Sequence, residues 1–209
     1  MPSRILPEHL LQRRDLWVGT RPAAIAAEPT GHAALDRLLP GNGWPRGALS
    51  ELIVPRPGVG ELGLIVPLLA RMTQAGRRVA LVAPPHIPYA PALRAAGVDL
   101  AQCWVVDASQ AADIIWTLEQ LLRCPAVGAV AGWLAMADER VQRRLQLAAE
   151  HNGDAGGAVG LLLRPLAARQ QPSVAALRLA LQADAHGTQV EILKSRGGRV
   201  GHSVSLVMP

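Results

Sequence analysis

The chain has no phenylalanine, one tyrosine, two cysteines and a single lysine, Lys194. Each shortage excludes something. With aromatics at 3% of 209 residues, a binder that stacks single-stranded bases on a row of rings is disfavoured, and the five Trp must supply the large packing anchors of an otherwise aliphatic core. Cys103 and Cys124 form no C-x-x-C pair and the six His form no H-x-x-x-H spacing, so no metal site is expected. No segment supplies the roughly 18 uninterrupted apolar residues of a membrane span, and the start, MPSRILPEHLLQRRDLW, lacks the apolar run of a secretion leader. The expectation is a cytoplasmic protein with reduced thiols and no membrane partner.

Half of the residues are hydrophobic and only 18% are charged, which rules out disorder and coiled coil over the whole chain. The length suits one core rather than two. The formal net charge is +5, with a pI near 10.5, and every basic residue but Lys194 is Arg. Such a balance permits phosphate or acidic-protein partners. A GC-rich genome enriches Arg, Ala, Gly and Pro together, so charge alone decides little.

Residues 1–29 read as an N-terminal arm, with a short amphipathic stretch from His9 to Trp17 whose Leu10, Leu11 and Trp17 can dock on a neighbour, and with Arg13 and Arg14 as a minor basic pair. Residues 30–209 read as one domain. Thr30 is placed to cap a helix carrying Ala34, Leu35, Leu38 and Leu39, which the Pro40-Gly41-Asn42-Gly43 cluster stops. The apolar run 48–54 predicts a buried strand, followed by the loop PRPGVG and a helix over 62–74 in which Pro67 is a conflict. Strands over 78–83, 104–107, 126–131 and 158–163 alternate with helices over 90–96, 110–123 and 138–150. Asp107 is expected to cap the helix after it, His86 to sit in a loop, and Trp44 and Trp133 to pack. Short apolar strands separated by helices imply parallel pairing with helices on both faces: a doubly wound α/β sheet. Runs over 175–183, 188–194 and 202–208, joined by hairpin-like DAHG and SRGGRVG, predict an antiparallel β extension spanning 175–209.

The glycine loop stands where a phosphate-binding loop would, but its chemistry differs. A G-x-x-x-x-G-K-[ST] loop offers backbone N–H groups, a Lys for the outer phosphates and a hydroxyl for magnesium. Aligning Gly60 on its second glycine places Pro55 at the first, Gly58 inside, Glu61 at the lysine and Leu62 at the hydroxyl. Replacing a cation by a carboxylate turns an attraction of about 4 kcal/mol, at 4 Å and an effective dielectric near 20, into a comparable repulsion. The acidic residue expected at the end of a buried strand would fall near Gly132, yet none occurs until Asp138, and Arg164 stands where a polar γ-phosphate sensor would. No catalytic residue, magnesium or nucleotide is therefore expected at the degenerate loop 55–62.

The run TGHAALDRLLPGNGWPRGALSELI, residues 30–53, resembles the approach to the nucleotide loop in the RecA recombinase family through Thr30, Gly31, Leu35, Asp36, Leu39, Gly43, Pro45, Gly47 and Glu51. With AGWL at 131–134, LLLRP at 161–165, QPSVAALRL at 171–179 and the terminal LKSRGG, the chain resembles the narrower translesion-synthesis-associated ImuA family, often labelled SulA-like. The resemblance implies a RecA-like fold and a non-catalytic, SOS-induced adaptor working with an ImuB-like protein and an error-prone DNA polymerase III α-subunit, with RecA and weakly bound DNA as further contacts. The alternative it implies is a SulA-type division inhibitor binding FtsZ. Lys194 and Arg196 match the K-x-K/R element with which recombinases reach a neighbour's ATP. From Arg164 onward six basic residues face two acids. Arg164, Arg169, Lys194, Arg196 and Arg199 are accordingly the candidate DNA- or partner-binding set, with salt-sensitive binding expected.

Overall fold

A computed structural model describes residues 26–151, 157–184 and 187–207; the arm up to residue 25, with Arg13, Arg14 and the His9–Trp17 stretch, lies outside them. The strands are β1 (Ala27–Glu28), β2 (Trp44–Pro45), β3 (Ala48–Val54), β4 (Arg78–Val82), β5 (Cys103–Val106), β6 (Val127–Trp133), β7 (Val159–Pro165), β8 (Leu177–Asp184), β9 (Gly187–Ser195) and β10 (Ser203–Leu206). The helices are α1 (Ala33–Asp36), α2 (Glu61–Gln74), α3 (Ala90–Ala95), α4 (Ala111–Arg123) and α5 (Glu139–Glu150).

The main sheet runs β10-β9-β8-β3-β7-β6-β4-β5. Its pairs from β8 through β3, β7, β6 and β4 to β5 are parallel, while β9 and β10 add antiparallel. This is a mixed α/β fold with a mainly parallel central sheet and antiparallel strands at its C-terminal edge. All seven residues of β3 are buried, as befits a central strand with both faces covered. The period of two separates the faces: Val79 and Leu81 of β4 pack with Leu64 and Leu68 of α2, whereas Ala80 and Val82 pack with Leu118 of α4 and Leu145 of α5.

The C-terminal extension departs from its expected form in its first strand. β8 lies parallel to β3, with Ser50 opposite Leu177 and Ile53 opposite Ala180, although it is antiparallel to β9. The cause is the connection over residues 166–176, which returns across the α5 face instead of turning back at once. A 3-10 turn, Leu166–Gln170, opens the crossover, and beyond it the Val174 N–H donates to Gln142 Oε1 at 3.0 Å and the Ala176 N–H to the Leu49 carbonyl at 2.9 Å, so it is held without an α-helix.

Three local expectations are also corrected. Thr30 does not cap α1; His32 holds that position, and the Thr30 hydroxyl instead accepts from the His32 N–H at 3.1 Å while the Thr30 N–H donates to Asp36 Oδ1 at 2.8 Å. Asp107 is exposed and Gln110 precedes α4 without a side-chain cap. α2 continues through Pro67, whose missing N–H costs one helical hydrogen bond to the Gly63 carbonyl. Its ring packs on Gly31, where a Cβ would stand 2.3 Å from the Pro67 Cβ.

The recombinase-like run around β1 and β2 is thus a fold element. β1 pairs antiparallel with β2, Trp44 is fully buried beside Leu35 and Leu39, and the Gly47 N–H reaches the Ala158 carbonyl at 3.0 Å. Gly43 is required by close approach: a Cβ there would lie 2.0 Å from the Glu28 carbonyl oxygen. Gly43→Ala must push β1 away, costing about 1–3 kcal/mol. For a domain of this size that lowers the melting temperature by about 2–4 °C per kcal/mol, read by thermal denaturation; an unchanged melt would refute the close approach.

Candidate functional site

At the C-terminal end of β3 the chain turns through Pro55–Gly60 into α2. Gly58 (φ +83°) and Gly60 (φ +99°) take left-handed conformations that bring successive N–H groups to the inside of the turn, the geometry of an anion nest. That nest already contains an anion. Glu61, 4% exposed, folds back so that Oε1 accepts from the Gly58 N–H at 2.9 Å and Oε2 from the Val59 N–H at 3.0 Å. A carboxylate at the first position of α2 is also favoured by the helix dipole. The other side of the loop is fastened by buried Thr188 of β9, whose hydroxyl donates to the Val59 carbonyl at 2.8 Å. A phosphate entering here must displace two charge-assisted hydrogen bonds and face the displaced carboxylate.

Beside the loop lies a cavity of about 260 Å³ lined by Pro55, Arg56, Glu61, Trp133 and Arg164. The end of β6 contributes Trp133 rather than a carboxylate, and the following Asp138 is engaged as the cap of α5, accepting from the Val141 N–H at 2.8 Å. Among the described residues no group of three or more His, Cys, Asp or Glu is placed to hold a metal ion. Nor is any helix among them long and apolar enough to cross a membrane.

Arg164 does not reach the surface. It is 1% exposed, and its guanidinium donates to Glu51 Oε1 at 2.9 Å, to Gln171 Oε1 at 2.8 Å and to the Ala137 carbonyl at 3.2 Å. Arg178 takes the second oxygen of Glu51 at 2.7 Å and the Ala168 carbonyl at 2.8 Å. Glu51, fully buried in the middle of β3, therefore anchors an arginine from each neighbouring strand. Arg164 is withdrawn from the DNA- or partner-binding set because its guanidinium is buried and paired with Glu51, out of reach of a phosphate at the surface.

The remaining candidates are dispersed. Arg169 makes a two-pronged bridge to Glu191, 3.0 and 2.9 Å to its two oxygens. Lys194 is half-buried and donates to the Ser173 carbonyl at 2.7 Å; desolvation, then the positive charges of Arg196 and Arg178, hold its ammonium below the ordinary lysine range, against the pull of Glu51. Arg196 and Arg199 are exposed in the turn between β9 and β10. The set is one exposed pair with Lys194 beneath it, a separate ion pair at Arg169 and a buried strut at Arg164.

Neither Glu51 as a hub nor Arg178 as its partner was read from the sequence. The signal was there: a carboxylate inside ALSELIV and an arginine inside LRLAL cannot be buried unpaired. Glu51→Gln leaves two buried arginines short of charge and should cost about 3–5 kcal/mol in urea denaturation. Replacing all three together, Glu51→Leu with Arg164→Met and Arg178→Met, should recover most of that loss. A single variant as stable as the parent would show that the triad is energetically idle.

No family model matches the chain. The cell division inhibitor SulA of Edwardsiella piscicida is 31% identical over 123 residues, spanning 54% of this chain and 71% of that protein. The crystal structure of SulA from Pseudomonas aeruginosa is similar at 24% identity with a TM-score of 0.45, covering 56% of this chain and 97% of that one. On the extent and identity of the match to the curated relative, the chain belongs to the SulA family of cell division inhibitors.

Proposed function

We propose that this protein is a non-catalytic inhibitor of cell division that acts by binding FtsZ. The division reading rests on the relationship to SulA. The observation that carries its non-catalytic character is the Glu61 carboxylate seated on the Gly58 and Val59 amides, which fills from within the nest that a triphosphate would need. With those donors satisfied, what the domain has to offer is surface, so it works by occupying a partner rather than by transforming a substrate.

A second reading, an adaptor of translesion synthesis that joins an ImuB-like protein and an error-prone polymerase, rests on the sequence resemblance alone. Nearly half of the chain lies outside the stretch matched to SulA. The two readings share a protein-binding mechanism and differ in the partner.

Capture on immobilised full-length chain separates them. The division reading expects FtsZ to be retained and its GTP-dependent sedimentation to fall as the chain approaches equimolar amounts. Retention of the ImuB-like protein with FtsZ sedimentation unchanged would reverse the assignment. A titration with magnesium and ATP should give no saturable binding; micromolar affinity with turnover, abolished by Glu61→Gln, would refute the non-catalytic reading.

A further inference from the structure

The opposite end of the sheet from the glycine loop carries a second cavity. Where β3 and β8 begin and β9 ends, Leu39, Pro45, Ala48 and Leu177 enclose about 190 Å³ of mainly apolar space. Small-molecule sites usually measure about 300–1,000 Å³, so this one suits a single apolar side chain better than a metabolite.

Its polar rim is asymmetric. Glu150 is engaged within its own helix, where Gln146 Nε2 donates to its Oε1 at 2.7 Å, and Gln146 Oε1 accepts from the Leu49 N–H at 2.9 Å. Arg46 is bridged to Glu28 at 3.1 Å. The Arg196 guanidinium, by contrast, has no partner among the described residues, and exposed Arg199 follows it in the same turn. Gly198 of that turn lies close against Pro40, since a Cβ there would stand 2.6 Å from the Pro40 Cγ, and Pro40 and Arg196 both line the cavity. Lys194 beneath the turn adds positive charge.

We propose that this cavity is an anchor site for an acidic segment of a partner protein, which inserts one apolar side chain between Leu39 and Leu177 and lays its carboxylates on Arg196 and Arg199. The proposal rests on the reading of the protein as a binding module and supplies the surface and the chemistry of the partner. An apolar anchor in a pocket within a charged rim is the usual form of an interface hot spot. The preceding stretch of this same chain, residues 1–25, is a poorer occupant by charge, with Arg4, Arg13, Arg14 and Arg21 against Glu8 and Asp15. Nucleic acid matches the rim but brings no aliphatic group for the apolar interior.

The test uses the full-length chain and a fluorescein-labelled peptide of alternating Asp and Glu with a central Leu, followed by anisotropy. Saturable binding is expected, weaker by about tenfold or more when the central residue is Ala, because the Leu side chain is what the cavity buries. It should weaken with salt. Arg196→Glu at the exposed rim should cost about tenfold or more, and Ala48→Leu, which fills the cavity, should abolish the preference for Leu over Ala. Because Ala48 opens the central strand, Arg196→Glu keeps the proposal testable if Ala48→Leu does not fold. Equal affinity for the two peptides, indifference to Arg196→Glu, tighter binding of oligothymidylate of equal length, tighter peptide binding on removal of residues 1–25, or no saturable binding at all would each overturn it. Retention of FtsZ by the parent chain and equally by Arg196→Glu would defeat this proposal and leave the division reading standing. The expected peptide results without FtsZ retention would do the reverse.

Discussion

The buried pairing of Glu51 with Arg164 and Arg178 is the constraint on which the middle of the sheet depends. A carboxylate inside an otherwise apolar central strand is tolerable only if its charge is matched and its lone pairs are filled. The two guanidiniums do both, and in doing so fix which strands flank β3. Their remaining donors fasten the Ala137, Ala168 and Gln171 positions, so the loop leading into α5 and the crossover from β7 to β8 are set by the same three side chains. Deep ion groups often add little net stability compared with apolar residues of like volume. What this one does is make any other neighbour for β3 costly, since a shifted strand would strand a charge in the core.

Glu61 repeats that logic at the edge of the fold. Glu51 acts from the middle of β3, whereas Glu61 lies beyond its C-terminal end, the side on which α/β sheets ordinarily bind ligands, and both are spent on the protein itself. Glu51 has consumed the arginine near the end of β7, and Glu61 the amides that follow β3. The cavity between them is therefore walled by groups whose polar bonds are largely made, with Arg56 at its exposed rim.

Much of the fold was legible because its strands are short aliphatic runs set between helices of the right period. The helix expected over 110–123 is Ala111–Arg123, and the strand expected over 48–54 is Ala48–Val54. The direction of β8 was not, because it depends on where the crossover over 166–176 lands, and that is decided by Gln142 and the Leu49 carbonyl, tertiary partners with no local signature. In the loop, the composition places a carboxylate at the lysine position, whereas its return onto the amides follows from two left-handed glycines. The burial of Arg164 was least visible of all: its partner lies 113 residues away in sequence. A tail scored by charge treats Arg164, Arg169 and Arg196 alike, although the structure makes one a strut, one half of an ion pair and one an exposed cation.

That distinction bears also on the run over residues 30–53 that resembles the recombinases. Thr30, Gly31, Asp36, Gly43 and Gly47 are accounted for by hydrogen bonds and close approaches within the protein: a turn before α1, the ring of Pro67, the Glu28 carbonyl and the Ala158 carbonyl. None of these bonds needs a nucleotide. Selection for the fold alone would retain the motif. Its presence therefore speaks to architecture, and what the protein does must be argued from the groups that the architecture leaves unspent, among which, in the described residues, are the cations of the β9–β10 turn.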